Sequence, residues 1–156
     1  MKTIAVEEIE QSLAPTIAPV AVNIAPATTR AKLSAYLELT KPRITSFVVL
    51  TTAAGFFLGT KTIEGALDYR LFAHTLLATG LLCSGISALN QWMERDLDPL
   101  MRRTARRPLP AGTLTPRGAF IFGLALTVGA EIYLTTLVNP LSAVCGLSVI
   151  VGYLLC

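Results

Sequence analysis

Long uncharged stretches dominate the middle and the end of the 156-residue chain. Residues 44–60 and 71–93 carry no charge, and residues 118–156 are interrupted only by Glu131. Such stretches match the roughly 20 residues that an α-helix needs to cross about 30 Å of hydrocarbon. Asn139-Pro140 divides the last stretch, because a proline cannot continue a helix. The pattern therefore predicts four membrane spans: one from near Tyr36 or Pro42 to Thr60, then 71–93, 118–138 and 141 onward.

The composition supports this interpretation. Hydrophobic residues make up 53% of the chain and charged residues only 15%, with a mean hydropathy of +0.60. A soluble domain has about 25% charged residues. We therefore expect an all-α fold, a polytopic membrane helical bundle. The fourth span is still apolar at residue 156, so about four helices of a larger bundle are expected here.

Residues 1–32 differ from the remainder of the chain. They are rich in Ala, Thr and Val, carry Glu7, Glu8 and Glu10 near the start, and lack a sustained helical period. We expect a disordered cytoplasmic tail. The tail resembles neither a secretory signal, which starts with basic residues, nor a transit peptide, which is rich in arginine and poor in acids. This favours a bacterial inner membrane.

Basic residues predict the orientation of the spans. Lys32, Lys41 and Arg43 precede the first span, and six arginines between residues 94 and 117 follow the second. Since lysine and arginine accumulate in cytoplasmic loops, the N-terminus and the 94–117 loop are expected in the cytoplasm. A short loop between two spans makes nucleic acid an unsuitable partner. The three cysteines lie in apolar stretches without metal-binding spacing, so they predict neither disulfides nor a zinc site.

The only dense polar segment, NQWMERDLDPLMRRTARRPLPAG, covers residues 90–112. If the helix continues past the second span, Asn90, Glu94 and Asp98 share one face, and a cation is needed to offset the acids. Either an arginine or a metal ion could supply it. Mg²⁺ typically binds one or two carboxylates and completes its shell with phosphate oxygens. An acidic stripe beside arginines therefore suits a Mg²⁺-diphosphate.

Structural alternatives remain open for the same residues. The arginines could only set the topology, Asp98 could form an ordinary surface pair with Arg102, or Asp98 could cap a helix that begins at Pro99. His74 is expected to pack inside the bundle, with haem ligation as the alternative. Glu131 lies deep in a span, where a functional role and snorkelling to the interface are equal alternatives.

Small residues recur at helical spacing within the first two spans. One set is Gly55 and Gly59, and the other is Gly80, Ser84 and Ala88. Small side chains let neighbouring helices approach closely. We expect both sets to be packing faces.

The polar segment resembles the first acidic motif of the UbiA superfamily of intramembrane prenyltransferases, Asn-x-x-x-Asp-x-x-x-Asp followed by Arg-Thr-x-x-Arg-Pro-Leu-Pro. The matching residues are Asn90, Asp98, Arg103-Thr104 and residues 107–110. The segments YLELTKPRIT (36–45) and VVLTTAAGFFLG (48–59) are similar to the protohaem IX farnesyltransferase branch of that superfamily. The resemblance covers about residues 33–156, which would form the N-terminal part of a prenyltransferase domain.

The resemblance implies an enzyme that transfers farnesyl from farnesyl diphosphate to a vinyl group of haem b, with Mg²⁺ as cofactor. Membrane lipid, and haem-handling or oxidase-assembly membrane proteins, are candidate partners. The implied metal ligands are Asn90, Glu94, Asp98 and Asp96. The implied catalytic residues are Asn90, Glu94, Asp98, Arg103 and Arg107. The residues implied in substrate binding are Lys41, Arg43, Arg102 and Arg106.

Two departures from the motif affect these expectations. Glu94 stands where the motif has aspartate, so Asp96 could share its role. The family also has a second aspartate-rich motif, whereas the only acid after Asp98 in this chain is Glu131; the chain alone is therefore not expected to turn over. The alternative functions are prenyl transfer to an aromatic acceptor in quinone biosynthesis and a non-catalytic four-helix membrane module.

Overall fold

The computed structural model describes residues 28–62 and 68–155, and within them the secondary structure is helical, without strands. The five helices, numbered here in chain order, are α1 (Thr29–Leu39), α2 (Pro42–Thr62), α3 (Tyr69–Glu94), α4 (Pro116–Tyr133) and α5 (Pro140–Leu155). A 3₁₀ turn at Asp98–Leu100 lies in the loop after α3, and a π-helical turn at Leu134–Val138 extends α4.

Three of these helices are long and apolar enough to cross a membrane. They are α2 over Pro42–Thr60, α3 over its whole length, and α4 with its π-helical turn, Pro116–Val138. The predicted fourth span corresponds to α5, which is shorter but equally apolar. The prediction of an all-α membrane bundle is confirmed. Of the two predicted starts for the first span, the structure selects Pro42.

Helix α1 is a separate element that the hydropathy pattern did not distinguish. It begins at Thr29, inside the segment predicted as a tail that ends at residue 32. Residues 1–27 of that predicted tail lie outside the described residues. Ala35 and Leu39 of α1 are buried against Leu109 and Leu114 of the loop between α3 and α4. Helix α1 therefore covers one end of the bundle.

Local capping sets the helix boundaries. The Asp68 carboxylate accepts hydrogen bonds from the backbone N–H groups of Arg70 and Leu71 at the start of α3. Thr115 caps α4 through the N–H of Gly118, ahead of a proline in the first turn. Asn139 Oδ1 accepts from the N–H of Leu141 at 2.8 Å. These side chains satisfy N–H groups that a helix start leaves unpaired.

The closest helix packing joins α3 and α4 through glycine. A Cβ atom added to Gly85 would lie 2.5 Å from Thr127 Oγ1 and 2.7 Å from the Thr127 backbone nitrogen. Farther along the same pair, Gly123 of α4 lies against Leu89 of α3. Because glycine has no side chain, the backbones of the two helices approach closely at these positions, as they do at small residues in membrane bundles.

The predicted small-residue faces have different outcomes. Ala88 is fully buried, and Gly80 of α3 lies against Val49 of α2. Around Gly55 and Gly59, by contrast, the described residues leave open space, since an added Cβ would meet no atom within 4 Å. Within the described residues the α2 pair therefore has no packing partner, and α2 contacts α3 through other residues, among them Val49.

Candidate functional site

The polar segment begins on α3 but does not remain helical. Helix α3 ends at Glu94, and Asp98 lies on the following 3₁₀ turn. The continued helix considered from the sequence is therefore wrong. The residue before a proline is driven away from the α conformation, and Asp98 precedes Pro99. The chain instead turns at residue 97, whose N–H donates to the Glu94 carbonyl at 2.9 Å.

Arg107 brings the two acids together from the far side of the loop. Its Nη1 nitrogen donates to Glu94 Oε2 at 2.9 Å and to Asp98 Oδ1 at 2.7 Å. The Arg107 side chain is 24% exposed, the Glu94 side chain 42% and the Asp98 side chain 5%. A single guanidinium therefore offsets both carboxylates. The sequence analysis predicted that a cation would be needed beside these acids, and Arg107 supplies one.

Asp98 is the most enclosed acid of this group. Its Oδ2 atom is buried and has no hydrogen-bond partner among the described residues. Thr104, itself buried, donates from Oγ1 to the Asp98 carbonyl at 2.8 Å and fixes the turn. Asp98 therefore forms neither the surface pair with Arg102 nor the helix cap that the sequence allowed. One carboxylate oxygen is left to bind something else.

The loop around Arg107 is ordered by its own backbone. The Arg107 N–H donates to the Thr104 carbonyl at 3.0 Å, and the Arg107 carbonyl accepts from Ala111 at 2.9 Å. Gly112 turns the chain with a φ of 71°, a conformation that glycine adopts without strain. Burial lowers the pKa of Arg107. The hydrogen bonds from its guanidinium to Asp98 and Glu94 raise the pKa, and together with the charges of these acids they leave it above its usual value.

Two further predicted residues lie at this cluster. Asn90 lies one turn before Glu94 on the same face of α3. Lys41 follows the end of α1 with a φ of 46°, and its amine is close enough to Arg107, Glu94 and Asp98 for their charges to affect it. Burial and, next, the Arg107 guanidinium lower the pKa of Lys41 below its usual 10.5. We call Asn90, Glu94, Asp98, Arg107 and Lys41 the charged cluster.

The remaining predicted residues lie outside the charged cluster. Asp96 pairs with the neighbouring Arg95 at 3.5 Å, and its side chain is 79% exposed. The other four are all exposed arginines, and the structure records no ion pair for them within the described part of the chain: Arg43, Arg102, Arg103 and Arg106. Asp96 therefore does not share the position of Glu94. Arg43 lies at the start of α2, and the other three arginines lie in the loop after α3.

Two residues at the site were not foreseen from the sequence. Gln91 is 2% exposed and donates from Nε2 to the Leu39 carbonyl at 3.2 Å, which links α3 to α1. Thr104 was noted only as part of the motif, and its bond to the Asp98 carbonyl needed the folded loop. The available sequence signal was an amide side chain, Gln91, directly after Asn90 in a membrane span. Helical spacing places Gln91 on a different face of the helix from Asn90, so spacing alone did not assign it to the site.

An apolar groove of about 580 Å³ lies beside the charged cluster, between α2, α3 and α5. Ile44 and Ser87 line its end nearest the cluster, and Thr75 and Leu141 line the far end. Cys83 lines the middle. Ile44 lies three residues after Lys41, so this end of the groove is close to Lys41 along the chain. The volume is within the roughly 300–1,000 Å³ of small-molecule sites.

The fit of a metal ion to the cluster can be judged from its oxygens. No group of three or more His, Cys, Asp or Glu side chains in residues 28–62 and 68–155 is arranged to hold a metal ion. Mg²⁺ needs fewer, since it binds one or two carboxylates and takes its other ligands from water and phosphate. The unpaired Asp98 Oδ2 and the half-exposed Glu94 carboxylate meet that smaller requirement.

His74 and Glu131, the two ionisable residues that the sequence singled out deep inside spans, are both engaged in helix packing. His74 Nδ1 lies 2.6 Å from the Tyr133 hydroxyl, so the expectation of a histidine packed in the bundle is confirmed. Glu131 points towards α5, where a Cβ on Gly146 would lie 2.8 Å from its Oε2. That oxygen is buried without a hydrogen-bond partner among the described residues. Glu131 therefore does not snorkel to the interface.

Comparison with known proteins identifies the family of the chain. Residues 48–156 match the UbiA prenyltransferase family. A protoheme IX farnesyltransferase of Solibacter usitatus is 43% identical over 125 residues, which are 76% of this chain and 43% of that protein. The protein of the same name from Aquifex aeolicus is 46% identical over 108 residues, 69% of this chain and 36% of that protein. The one from Opitutus terrae is 40% identical over 124 residues, which are 80% of this chain and 41% of that protein.

The chain spans about two fifths of the length of these relatives. No solved structure matches it. The family match covers more than two thirds of the chain and includes α3, α4, α5 and the loop that carries Arg107. With three helices long enough to span a membrane, these findings support a multi-pass membrane protein. The chain belongs to the UbiA prenyltransferase family and is similar to its protoheme IX farnesyltransferases.

Proposed function

We propose that the protein is a Mg²⁺-dependent prenyltransferase that moves a farnesyl group from farnesyl diphosphate onto a vinyl group of haem b. The observation that carries the proposal is the buried Asp98 carboxylate, which is held by Arg107 and keeps one oxygen unpaired. A buried carboxylate oxygen without a partner costs free energy, and a cation bound at that oxygen would offset the cost. A metal-bound diphosphate brings such a partner.

The residues of the charged cluster would divide the binding of the head group. Asp98 Oδ2, Glu94 and the Asn90 amide oxygen would hold Mg²⁺, which supplies positive charge beside the leaving diphosphate when bound. Lys41 and the exposed Arg103 would contact the remaining phosphate oxygens. Arg107, already bonded to both acids, would fix their orientation and add charge. Arg43, Arg102 and Arg106 would attract the anionic donor from solvent.

The groove would take the isoprenoid chain. Each CH₂ group buried there contributes roughly 0.8 kcal/mol, so a farnesyl tail is held better between the helices than in water. When the carbon–oxygen bond to the diphosphate breaks, both electrons leave with the diphosphate, and the vinyl group of haem b attacks the allylic carbon. A dry groove protects that carbon from early capture by water. Water then adds to the former vinyl group and releases a proton.

The membrane context is part of the proposal. Basic residues gather at the end of the bundle where α1, the end of α3 and the 95–115 loop meet, and this bias supports a cytoplasmic position for that end in a bacterial inner membrane. Haem-handling or oxidase-assembly membrane proteins would then be the partners that deliver haem. The names of the relatives, protoheme IX farnesyltransferases, support the haem acceptor.

A matched pair of aspartates tests the proposal. Membranes that contain the intact protein are supplied with labelled farnesyl diphosphate and haem b, with Mg²⁺ or with a chelator. We expect a farnesylated haem that needs Mg²⁺, at least a tenfold loss with Asp98→Asn, and little change with Asp96→Asn. Equal activity in the chelator or with Asp98→Asn would refute the site. Transfer to 4-hydroxybenzoate in place of haem b would instead indicate an enzyme for aromatic acceptors.

A further inference from the structure

Gln91 ties α3 to the junction between α1 and α2. Its amide donates to the carbonyl of Leu39, 52 positions earlier in the chain, at 3.2 Å. Gln91 is 2% exposed and Leu39 is fully buried. Water is therefore excluded from this hydrogen bond, and its loss would leave the Leu39 carbonyl without that partner in the protein interior.

The junction that Gln91 holds has an uncommon backbone conformation. Lys41, which directly precedes Pro42, has a φ of 46°. A residue with a full side chain therefore occupies the left-handed region. Such a conformation is strained and persists only where the surroundings enforce it. Thr45 Oγ1 adds a second constraint through the carbonyl of Thr40 at 2.8 Å.

The backbone conformation of Lys41 sets the direction in which its side chain leaves the chain. The charges of Arg107, Glu94 and Asp98 act on its amine, although Lys41 lies on a different segment of the chain. The extended conformation, which a residue before proline otherwise prefers, would change the direction of both the Lys41 side chain and α2. The bond from Gln91 therefore affects the charged cluster from a distance.

We propose that Gln91 is a positioning residue for diphosphate binding: its hydrogen bond to Leu39 keeps Lys41 in the left-handed conformation that directs the ammonium group at the charged cluster. The inference rests on the function proposed above and deepens it. Gln91 acts through Lys41 and need not contact the ligand. Its effect on binding should therefore vanish when the Lys41 ammonium is absent.

A double-mutant cycle tests this dependence. Gln91→Met keeps the length of the side chain and removes the amide, and Lys41→Met removes the ammonium. The dissociation constant of farnesyl diphosphate with Mg²⁺ is measured on the intact protein in lipid nanodiscs. We expect each single variant to bind about tenfold more weakly, and the double variant to bind no more weakly than Lys41→Met alone.

Controls separate positioning from stability. Thr127→Val removes another buried side-chain hydrogen bond, within α4 and away from the cluster, and should leave the dissociation constant unchanged. If Gln91→Met does not fold, Thr45→Val weakens the same junction and should show the same dependence on Lys41. A Gln91→Met protein with unchanged binding, or a double variant weakened by about a hundredfold, would overturn the inference.

The cycle also distinguishes this inference from the proposed function. Binding by the unmodified protein that Asp98→Asn abolishes, together with no effect of Gln91→Met, would contradict the role of Gln91 alone. If the unmodified protein binds no farnesyl diphosphate in the presence of Mg²⁺, the proposed function and the positioning role both fail.

Discussion

The Arg107 guanidinium lies 2.7 Å from Asp98, a carboxylate that is only 5% exposed and comes nine positions earlier in the chain. The same nitrogen also holds Glu94 at 2.9 Å. The positive charge of Arg107 thus holds two carboxylates close together. Without that charge, the carboxylates would repel each other where they are partly buried and poorly screened by water.

Replacement of Arg107 should therefore destabilise the protein. We expect Arg107→Met to lower the free energy of unfolding by about 1–3 kcal/mol, because the buried Asp98 would lose its partner while Glu94 stays partly hydrated. Unfolding in mixed micelles measures the change. The matched control is Arg106→Met, since Arg106 is exposed and should change stability by less than about 0.5 kcal/mol. Equal effects of the two variants would contradict a specific pair.

The lowered pKa of Lys41 predicts how donor binding depends on pH. A protonated Lys41 attracts a diphosphate, and burial followed by the Arg107 charge lowers its pKa below 10.5. Affinity should thus be highest below the lowered pKa and fall as the pH rises through it towards 10.5. Lys41→Arg remains charged and should show a flatter profile. Titrations of farnesyl diphosphate binding at constant Mg²⁺ give both curves; identical curves would rule out a contribution from Lys41.

A bulky residue in the groove should affect the tail and spare the head group. Cys83 lines the middle of the groove, so Cys83→Phe should weaken farnesyl diphosphate binding about tenfold or more by occupying the space for the chain. Inorganic pyrophosphate should bind as before. Leu124→Phe, at an exposed position on α4, serves as the control. Equal losses for both ligands would place the tail elsewhere.

Close packing of α3 on α4 predicts a large effect at one glycine. Gly85→Ala would bring a methyl group within 2.7 Å of the Thr127 backbone nitrogen, and backbone cannot move aside cheaply, so stability should fall by about 1–3 kcal/mol or more. Gly55→Ala meets no neighbour among the described residues and should be neutral or stabilising by up to about 1 kcal/mol. Thermal unfolding of the two variants in detergent provides the comparison.

The sequence by itself determined the membrane class and most helix boundaries, because spans, caps and breaks depend on residues that are close together in the chain. Uncharged runs predicted α2, α3 and α4, and Asn139-Pro140 predicted the break before α5. The family motif was equally readable, and residues 48–156 match the UbiA prenyltransferase family. The continuous helix through Asp98 was wrong, since a local turn at Pro99 overrides the apparent four-residue spacing.

Tertiary structure decided which charges meet. The six arginines between residues 94 and 117 looked alike in sequence. In the folded protein the loop turns back towards α3 between residues 104 and 112, and this turn makes Arg107 the partner of both acids. The bond from Gln91 to Leu39 likewise joins residues 52 positions apart, and the charges of Glu94, Asp98 and Arg107 act on Lys41 although they lie still farther along the chain. Such contacts depend on how helices pack, and helical periodicity describes only one helix at a time.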